Sequence, residues 1–267
     1  MRCTPEQIVL TTGTQPALDL LSRLLLEPGS QVLLEEILSA SVRETVRRQE
    51  PEVLTVSTDA ETGMDVDEVE SLLASGARPA FLYVIPEGHN PLGVSLSLER
   101  RLRIVDLART YEVPVLEDDA YGFLTHGEPL EPPLRALDET WVLHLGSFSN
   151  LLSPALRAGW IVLPADLAPK LSLLPDAAEL DVASFSQRTI SAWLEAGYLP
   201  EHLETVRAAY RRRRDTLLRE HGVVVVLLLA PRCDLLRRRV AHLGPGGGVG
   251  GIERAEQVLP ERRGRNI

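Results

Sequence analysis

Lysine is nearly missing from this chain: of 28 basic residues only Lys170 carries a side-chain amine. Chemistry that attaches a group covalently to such an amine has one position to use. Cysteine is scarce too. Cys3 and Cys233 are too few and too far apart for a disulfide framework or a metal site, which fits a reducing compartment and no bound metal. Aromatic residues make up 4% of the chain, so the core is expected from Leu, Val and Ala. No run reaches the roughly 18 apolar residues of a membrane span, and Met1–Leu10 has no apolar signal core. The chain therefore reads as soluble and cytoplasmic, with no membrane partner. A net charge of -10 argues against a nucleic-acid surface over the body of the chain. The charge is uneven: from Pro231 onward eight arginines face four acids, a tail of about +4 after a body of about -14.

What is present is a regular alternation in 267 residues, enough for one large domain or for a large and a small one. Short apolar runs predict strands at Gln7–Thr11, Gln31–Glu35, Val53–Val56, Phe81–Ile85, Pro114–Leu116 and Val142–Leu145. Helical periodicity predicts helices from Pro16, over Ser41–Gln49, after Asp65 and Asp67, and over Leu96–Tyr111, where Leu98, Leu102, Val105 and Leu107 mark the apolar positions. Further helices are expected over Asp166–Leu174, Ser184–Ala196 and Pro200–His221, with Arg211–Arg214 forming a solvated face paired with Glu204 and Asp215. The pattern predicts an α/β fold, a mostly parallel sheet covered by helices on both faces. From Val223 the character changes to an apolar run, Arg237–Arg239 and a Gly-rich stretch from Gly244 to Gly251, read as a flexible linker. The expected organisation is a large domain over residues 1–222 and an atypical Arg/Gly-rich tail over 223–267.

Candidate chemistry clusters after predicted strand ends, the edge where open α/β sheets bind ligands. Gly13-Thr14-Gln15 joins a strand to a helix N-terminus, a natural phosphate seat. Asn90 stands before Pro91, which biases it to extended backbone and can aim its side chain. Glu117-Asp118-Asp119 closes a strand, and three acids there are expensive unless something positive meets one of them. The stretch Trp141–Val162 reads strand, turn, strand; Ser147, Ser149 and Arg157 can converge on one tetrahedral oxyanion. His89 is expected as a solvated loop residue, and one of Glu117 and Asp119 as solvated or capping a backbone turn.

These segments resemble the class I/II aminotransferases, the pyridoxal-phosphate (PLP) enzymes of fold type I, and most of all the branch of aminoadipate-type transaminases and MocR-type regulators. Trp141–Val162 is similar to that branch's G-S-F-S-K turn followed by L-x-P-x-L-R-x-G-W. Asn90-Pro91-Leu92-Gly93 resembles its N-P-x-G, and Asp118 with Tyr121 its D-x-x-Y. The resemblance runs from about Thr4 to His221. It implies the large domain of fold type I and a cofactor held through its phosphate by Gly13, Thr14, Gln15, Ser147, Ser149 and Arg157. It further implies Asp118 on the pyridine nitrogen, and Asn90 and Tyr121 on the phenolic oxygen. The implied reaction moves an amino group between an amino acid and a 2-oxo acid, in a dimer.

The departures are as informative. The turn's lysine, which forms the Schiff base, is Asn150 here. Ile37-Leu38-Ser39 stands where the family has a proline and a stacking tyrosine. The tail shows no strand with the carboxylate-clamping arginine, Arg265 lacking strand context, and an out-of-frame tail is one account of it. Homologues of this kind start several tens of residues earlier, with an arm that closes the site. Loss of a proton shuttle alone costs about 10²–10⁴ in rate. The expectation is a chain that binds PLP noncovalently, if at all, and catalyses poorly. The alternatives are a non-catalytic subunit or PLP sensor paired with an active homologue, and a decayed gene product. Any side-chain adduct would have to form on Lys170.

Overall fold

Alternating apolar runs and amphipathic stretches fold as parallel strands crossed by helices, because each strand buried on both faces needs a helix on either side. The computed structural model describes residues 1–125, 131–171 and 182–221. In chain order the elements are β1 (Ile8–Thr11), α1 (Thr14–Leu25), β2 (Gln31–Glu35), α2 (Ala40–Arg47) and β3 (Glu52–Val56). A small hairpin of β4 (Thr58–Asp59) and β5 (Gly63–Met64) leads into α3 (Val66–Ala74) and β6 (Leu82–Val84). Then come α4 (Leu98–Tyr111), β7 (Val115–Asp118), α5 (Leu134–Leu137), β8 (Val142–Ser147) and β9 (Gly159–Val162). The helices α6 (Ala168–Leu171), α7 (Ser184–Glu195) and α8 (Leu199–His221) follow.

Seven strands make one sheet in the order β1-β9-β8-β7-β6-β2-β3. The pairs from β3 across to β8 are parallel, whereas β9 runs antiparallel to both β8 and β1. All parallel strands thus end at one edge, and the chain leaving Val162 heads for the other. One apolar layer packs α1 and α2 on the sheet through Leu18, Leu21, Val42, Val46, Leu116 and Leu145. The opposite layer packs α3, α4 and α5 through Val69, Ile104, Val105, Leu134, Val115 and Val142. The mostly parallel sheet with helices on both faces matches the expected fold class.

Local signals account for the helix starts. Asp65 caps α3, its carboxylate accepting from the backbone N–H groups of Asp67 and Glu68. Ser97 caps α4, so that helix begins at Leu98 rather than at Leu96, which is buried in the core. The inward face of α4 also differs from its apolar pattern. Leu98 and Leu102 are 38% and 45% exposed, while Arg101 is 1% exposed. Arg101 can point inward because four acceptors meet its guanidinium: the carbonyls of Leu96, Pro132 and Pro86 and the Glu87 carboxylate.

The chain divides into two compact units, Met1–Arg211 and Arg212–Ile267. Of the second, the described part is the end of α8, where Arg214 pairs with Asp215 at 2.7 Å. The expected boundary at 222/223, the Gly-rich stretch, Arg237–Arg239 and Arg265 lie outside the described residues, as does the end of the helix expected over Asp166–Leu174. Among the described residues no helix is long and apolar enough to cross a membrane.

Candidate functional site

Gly13, Asp118 and Ser147 all emerge at the edge where the parallel strands end. Gly13 precedes α1 with φ 139°, a backbone conformation that suits glycine, and a Cβ there would lie 3.9 Å from Arg157 Nη2. The missing side chain therefore leaves the first-turn N–H groups of α1 open beside a guanidinium. Gly159, paired with Ser147, closes the packing: a Cβ on it would stand 2.9 Å from the Gly13 Cα and 2.8 Å from the Gly146 carbonyl oxygen. Arg157 itself holds φ 46° after the turn Pro154–Leu156, a strained region for a non-glycine residue, and such outliers concentrate at ligand clamps. Ser147 is buried, and its Oγ accepts the Ser149 backbone N–H at 3.1 Å, so the two serines share one tight turn. Hydroxyls, helix N-terminus and arginine form the positive end of the site.

The negative end is Asp118. Its carboxylate is 8% exposed and accepts a 2.7 Å hydrogen bond from the Tyr83 hydroxyl and a 3.2 Å bond from the Ala120 N–H. Burial pushes the Asp118 carboxyl above the usual range, while Tyr83, Ala120, the His144 charge and Thr14 oppose that shift. Tyr83 was not among the residues expected here. The one aromatic in the apolar run Leu82–Val84 was the signal for it, because a buried phenol needs a polar partner.

Tyr121 follows Asp118 by three residues, and the side chains of Asn150 and Asn90 come near enough to act on its phenol. Burial and the Asp118 charge raise the Tyr121 proton affinity, and the two amides oppose them. Asn150 is held from a second side: its carbonyl oxygen accepts from the Tyr210 hydroxyl at 3.3 Å. Gln15 is placed differently from its neighbours. Its amide is engaged with α2, donating to Ser41 Oγ at 3.3 Å and accepting from Thr45 Oγ1 at 3.0 Å. Leu38, in the segment where the resemblance implies a stacking tyrosine, packs into the core. Lys170 is exposed on α6, which follows β9 at the sheet edge away from Gly13, Asp118 and Ser147.

His89 corrects an expectation. It is not solvated but 2% exposed, with its Nε2 3.4 Å from the Glu35 carboxylate, because the loop before Asn90 folds inward against the end of β2. Side-chain alternation turns Glu117 and Asp119 to the sheet face away from Asp118. Glu117 is fully buried and caps a backbone turn, accepting from the Leu134 and Arg135 N–H groups at 2.5 and 3.0 Å and pairing with His144 Nδ1 at 3.0 Å. Burial alone would lower the His144 pKa, but its bond to Glu117 and the nearby carboxylates leave it raised.

Asp119 borders a cavity of about 380 Å³ together with His144, Trp160 and Phe123. Burial lifts its carboxyl to about 7, with His144 opposing and Glu117 and Glu87 adding to the rise. The folded state therefore binds a proton that the unfolded state has lost, so this group's contribution falls as pH rises from about 4 to 7. Asp119→Asn is expected to melt higher than the unmodified chain at about pH 8, with the gap closing near pH 4. Melting curves across that range check it; a gap that does not change with pH contradicts it.

The family profile described as "Aminotransferase class I and II" matches residues 1–224. Among curated relatives, aromatic-amino-acid aminotransferase 1 of Thermococcus litoralis is 35% identical over 218 residues, covering 79% of this chain and 52% of the relative. The 2-aminoadipate transaminase of Thermus thermophilus is 37% identical, covering 80% of this chain and 54% of the relative. The crystal structure of LysN, the α-aminoadipate aminotransferase of Thermus thermophilus complexed with N-(5'-phosphopyridoxyl)-L-leucine, superposes with a TM-score of 0.76 at 37% identity. That match covers 80% of this chain and 56% of LysN. The chain thus spans about half the length of the relatives it matches. With the matching profile over most of its length, the chain belongs to the class I and II aminotransferase family.

Proposed function

We propose that the chain binds pyridoxal 5'-phosphate, or its amine form, reversibly and without a covalent link, and that it transfers amino groups between amino acids and 2-oxo acids poorly or not at all. The observation that carries this reading is the polarity of the site: a cup of Gly13, Ser147, Ser149 and Arg157 at one end and the buried Asp118–Tyr83 pair at the other. A ligand with a phosphate at one end and a protonated ring nitrogen at the other matches both. In this reading Arg157, the serine hydroxyls and the first turn of α1 hold the phosphate. Asp118 keeps the ring nitrogen protonated, and Tyr121 and Asn90 orient the ring. The cofactor, when bound, supplies an electron-accepting ring for chemistry at the α-carbon of an amino acid.

The chain's own groups limit the reaction. Asn150 stands at the lysine position, and an amide neither forms an imine nor carries a proton near neutrality. Losing a general acid–base group costs about 10²–10⁴ in rate. Lys170, exposed after β9 at the far sheet edge, does not replace it.

Titration of the chain with PLP, followed by absorbance, borohydride treatment and intact-mass measurement, tests this. Saturable binding that gel filtration reverses, with no mass gain after borohydride, is the expected result. An adduct on Lys170, or no binding at all, overturns it.

A further inference from the structure

Two buried ionisable side chains lie outside the cup just described, and each is the other's nearest partner. Glu35 ends β2, His89 lies in the loop between β6 and α4, and both side chains are 1% exposed. Glu35 Oε2 and His89 Nε2 stand 3.4 Å apart, and neither atom has a hydrogen-bond partner among the described residues. A buried carboxylate and a buried imidazole left in this way are costly unless they serve one another.

The loop also orients the His89 ring. The Leu92 N–H points to His89 Nδ1 at 3.5 Å, so the loop backbone holds one ring nitrogen and the other, Nε2, is turned to Glu35. The His89 backbone closes the same turn: its N–H donates to the Val94 carbonyl at 2.8 Å, and its carbonyl accepts from the Gly93 N–H at 2.5 Å. Ring and backbone of one residue thus tie the loop both to itself and to the end of β2. That loop reaches the site at two adjoining places. Gly88, at φ 58°, lies so close that a Cβ on it would stand 3.1 Å from the Tyr121 Cβ, and the Asn90 side chain is near enough to act on the Tyr121 phenol.

We propose that Glu35 and His89 form a buried clamp that positions the Asn90 loop over Tyr121, and that His89 is therefore a positioning residue for the ring end of the bound ligand. This rests on the cofactor reading above for the identity of the ligand, but not for the existence of the clamp. The phosphate cup belongs to other elements, α1 and the β8–β9 connection. Loosening the clamp should weaken ring contacts and leave phosphate contacts alone.

The test compares the unmodified chain with Glu35→Gln/His89→Ala, which leaves no orphaned buried charge, and with His89→Gln, whose amide can still accept from Leu92 and donate to Glu35. Hydrogen exchange of the peptide spanning 86–95 is read without ligand, and binding is measured for PLP and for inorganic phosphate. The double variant is expected to exchange faster in that peptide and to bind PLP about tenfold more weakly, the size of one lost hydrogen bond, with phosphate affinity unchanged. His89→Gln is expected to restore both readouts. Unchanged exchange in the double variant overturns the clamp, whether or not PLP binds. Equal weakening toward PLP and phosphate overturns the positioning role, because general damage does that. If the unmodified chain binds no PLP while exchange responds as expected, the cofactor reading and the role toward its ring are refuted and the clamp on the loop stands.

Discussion

Asn150→Lys is expected to turn a reversible complex into a covalent one: PLP retained through gel filtration, and one cofactor mass fixed by borohydride at the substituted position. The unmodified chain should show neither. The expectation follows from where residue 150 sits. It lies directly after β8, in the turn that begins with Ser147 and Ser149, and its side chain is near enough to the Tyr121 phenol to act on it. A lysine there would bring its amine, which attacks in its neutral form, to the neighbourhood of the Tyr121 phenol, whose proton affinity is raised by burial and by the Asp118 charge. The turn needs no rebuilding, because the Asn150 carbonyl is held by the Tyr210 hydroxyl and the Leu152 N–H closes on the Phe148 carbonyl. Covalent capture is thus expected to return in full. Activity is expected to return less completely, since orientation of a substrate carboxylate depends on groups for which the tail offers no sequence match. If Asn150→Lys binds PLP but forms no adduct, the turn is misaligned for the reaction and substitution at 150 is not the sole defect.

The largest loss of stability is expected from Arg101→Ala, by about 3–5 kcal/mol, the range for removing one partner of a buried ion pair. Arg101 and Glu87 side chains are 2% and 7% exposed. Truncation strands the Glu87 carboxylate, whose remaining partners are the Ser95 and Thr125 hydroxyls, takes the Arg101 donor from the Leu96 and Pro132 carbonyls, and leaves the Pro86 carbonyl with the Leu96 N–H. Against a typical total of about 5–15 kcal/mol this is severe, and it translates to a fall in Tm of roughly 6–20 °C. The contrast lies two residues along the same helix. Arg103 pairs with Asp67 and Glu70, but its side chain is 40% exposed, so Arg103→Ala should cost far less than Arg101→Ala. Urea melts of both variants decide the matter, and equal losses would refute the distinction. The consequence reaches the site, because Arg101 grips Pro86 and Glu87, where the chain turns into the loop carrying His89 and Asn90.

The sequence by itself determined the main alternation of strands and helices, without the β4–β5 hairpin and α5, the edge at which Gly13, Asn90, Asp118 and Ser147 gather, and the absence of a lysine from position 150. Those features are local: strand and helix periodicities, a capping residue such as Asp65, and the rule that parallel strands present their C-terminal ends together. Tertiary structure alone decided what pairing across distance controls. A histidine in a polar loop reads as solvated until β2 brings Glu35 beside it. An arginine among leucines reads as surface until three carbonyls and a carboxylate from separate segments surround it. Tyr83 becomes a site residue only because β6 lies next to β7 and sets its hydroxyl on Asp118. The antiparallel course of β9 sends Lys170 to the wrong edge, and no local pattern encodes strand direction. Burial of a charged or polar side chain depends on partners that are remote in sequence, which is why composition and periodicity could not foresee what holds these residues in place.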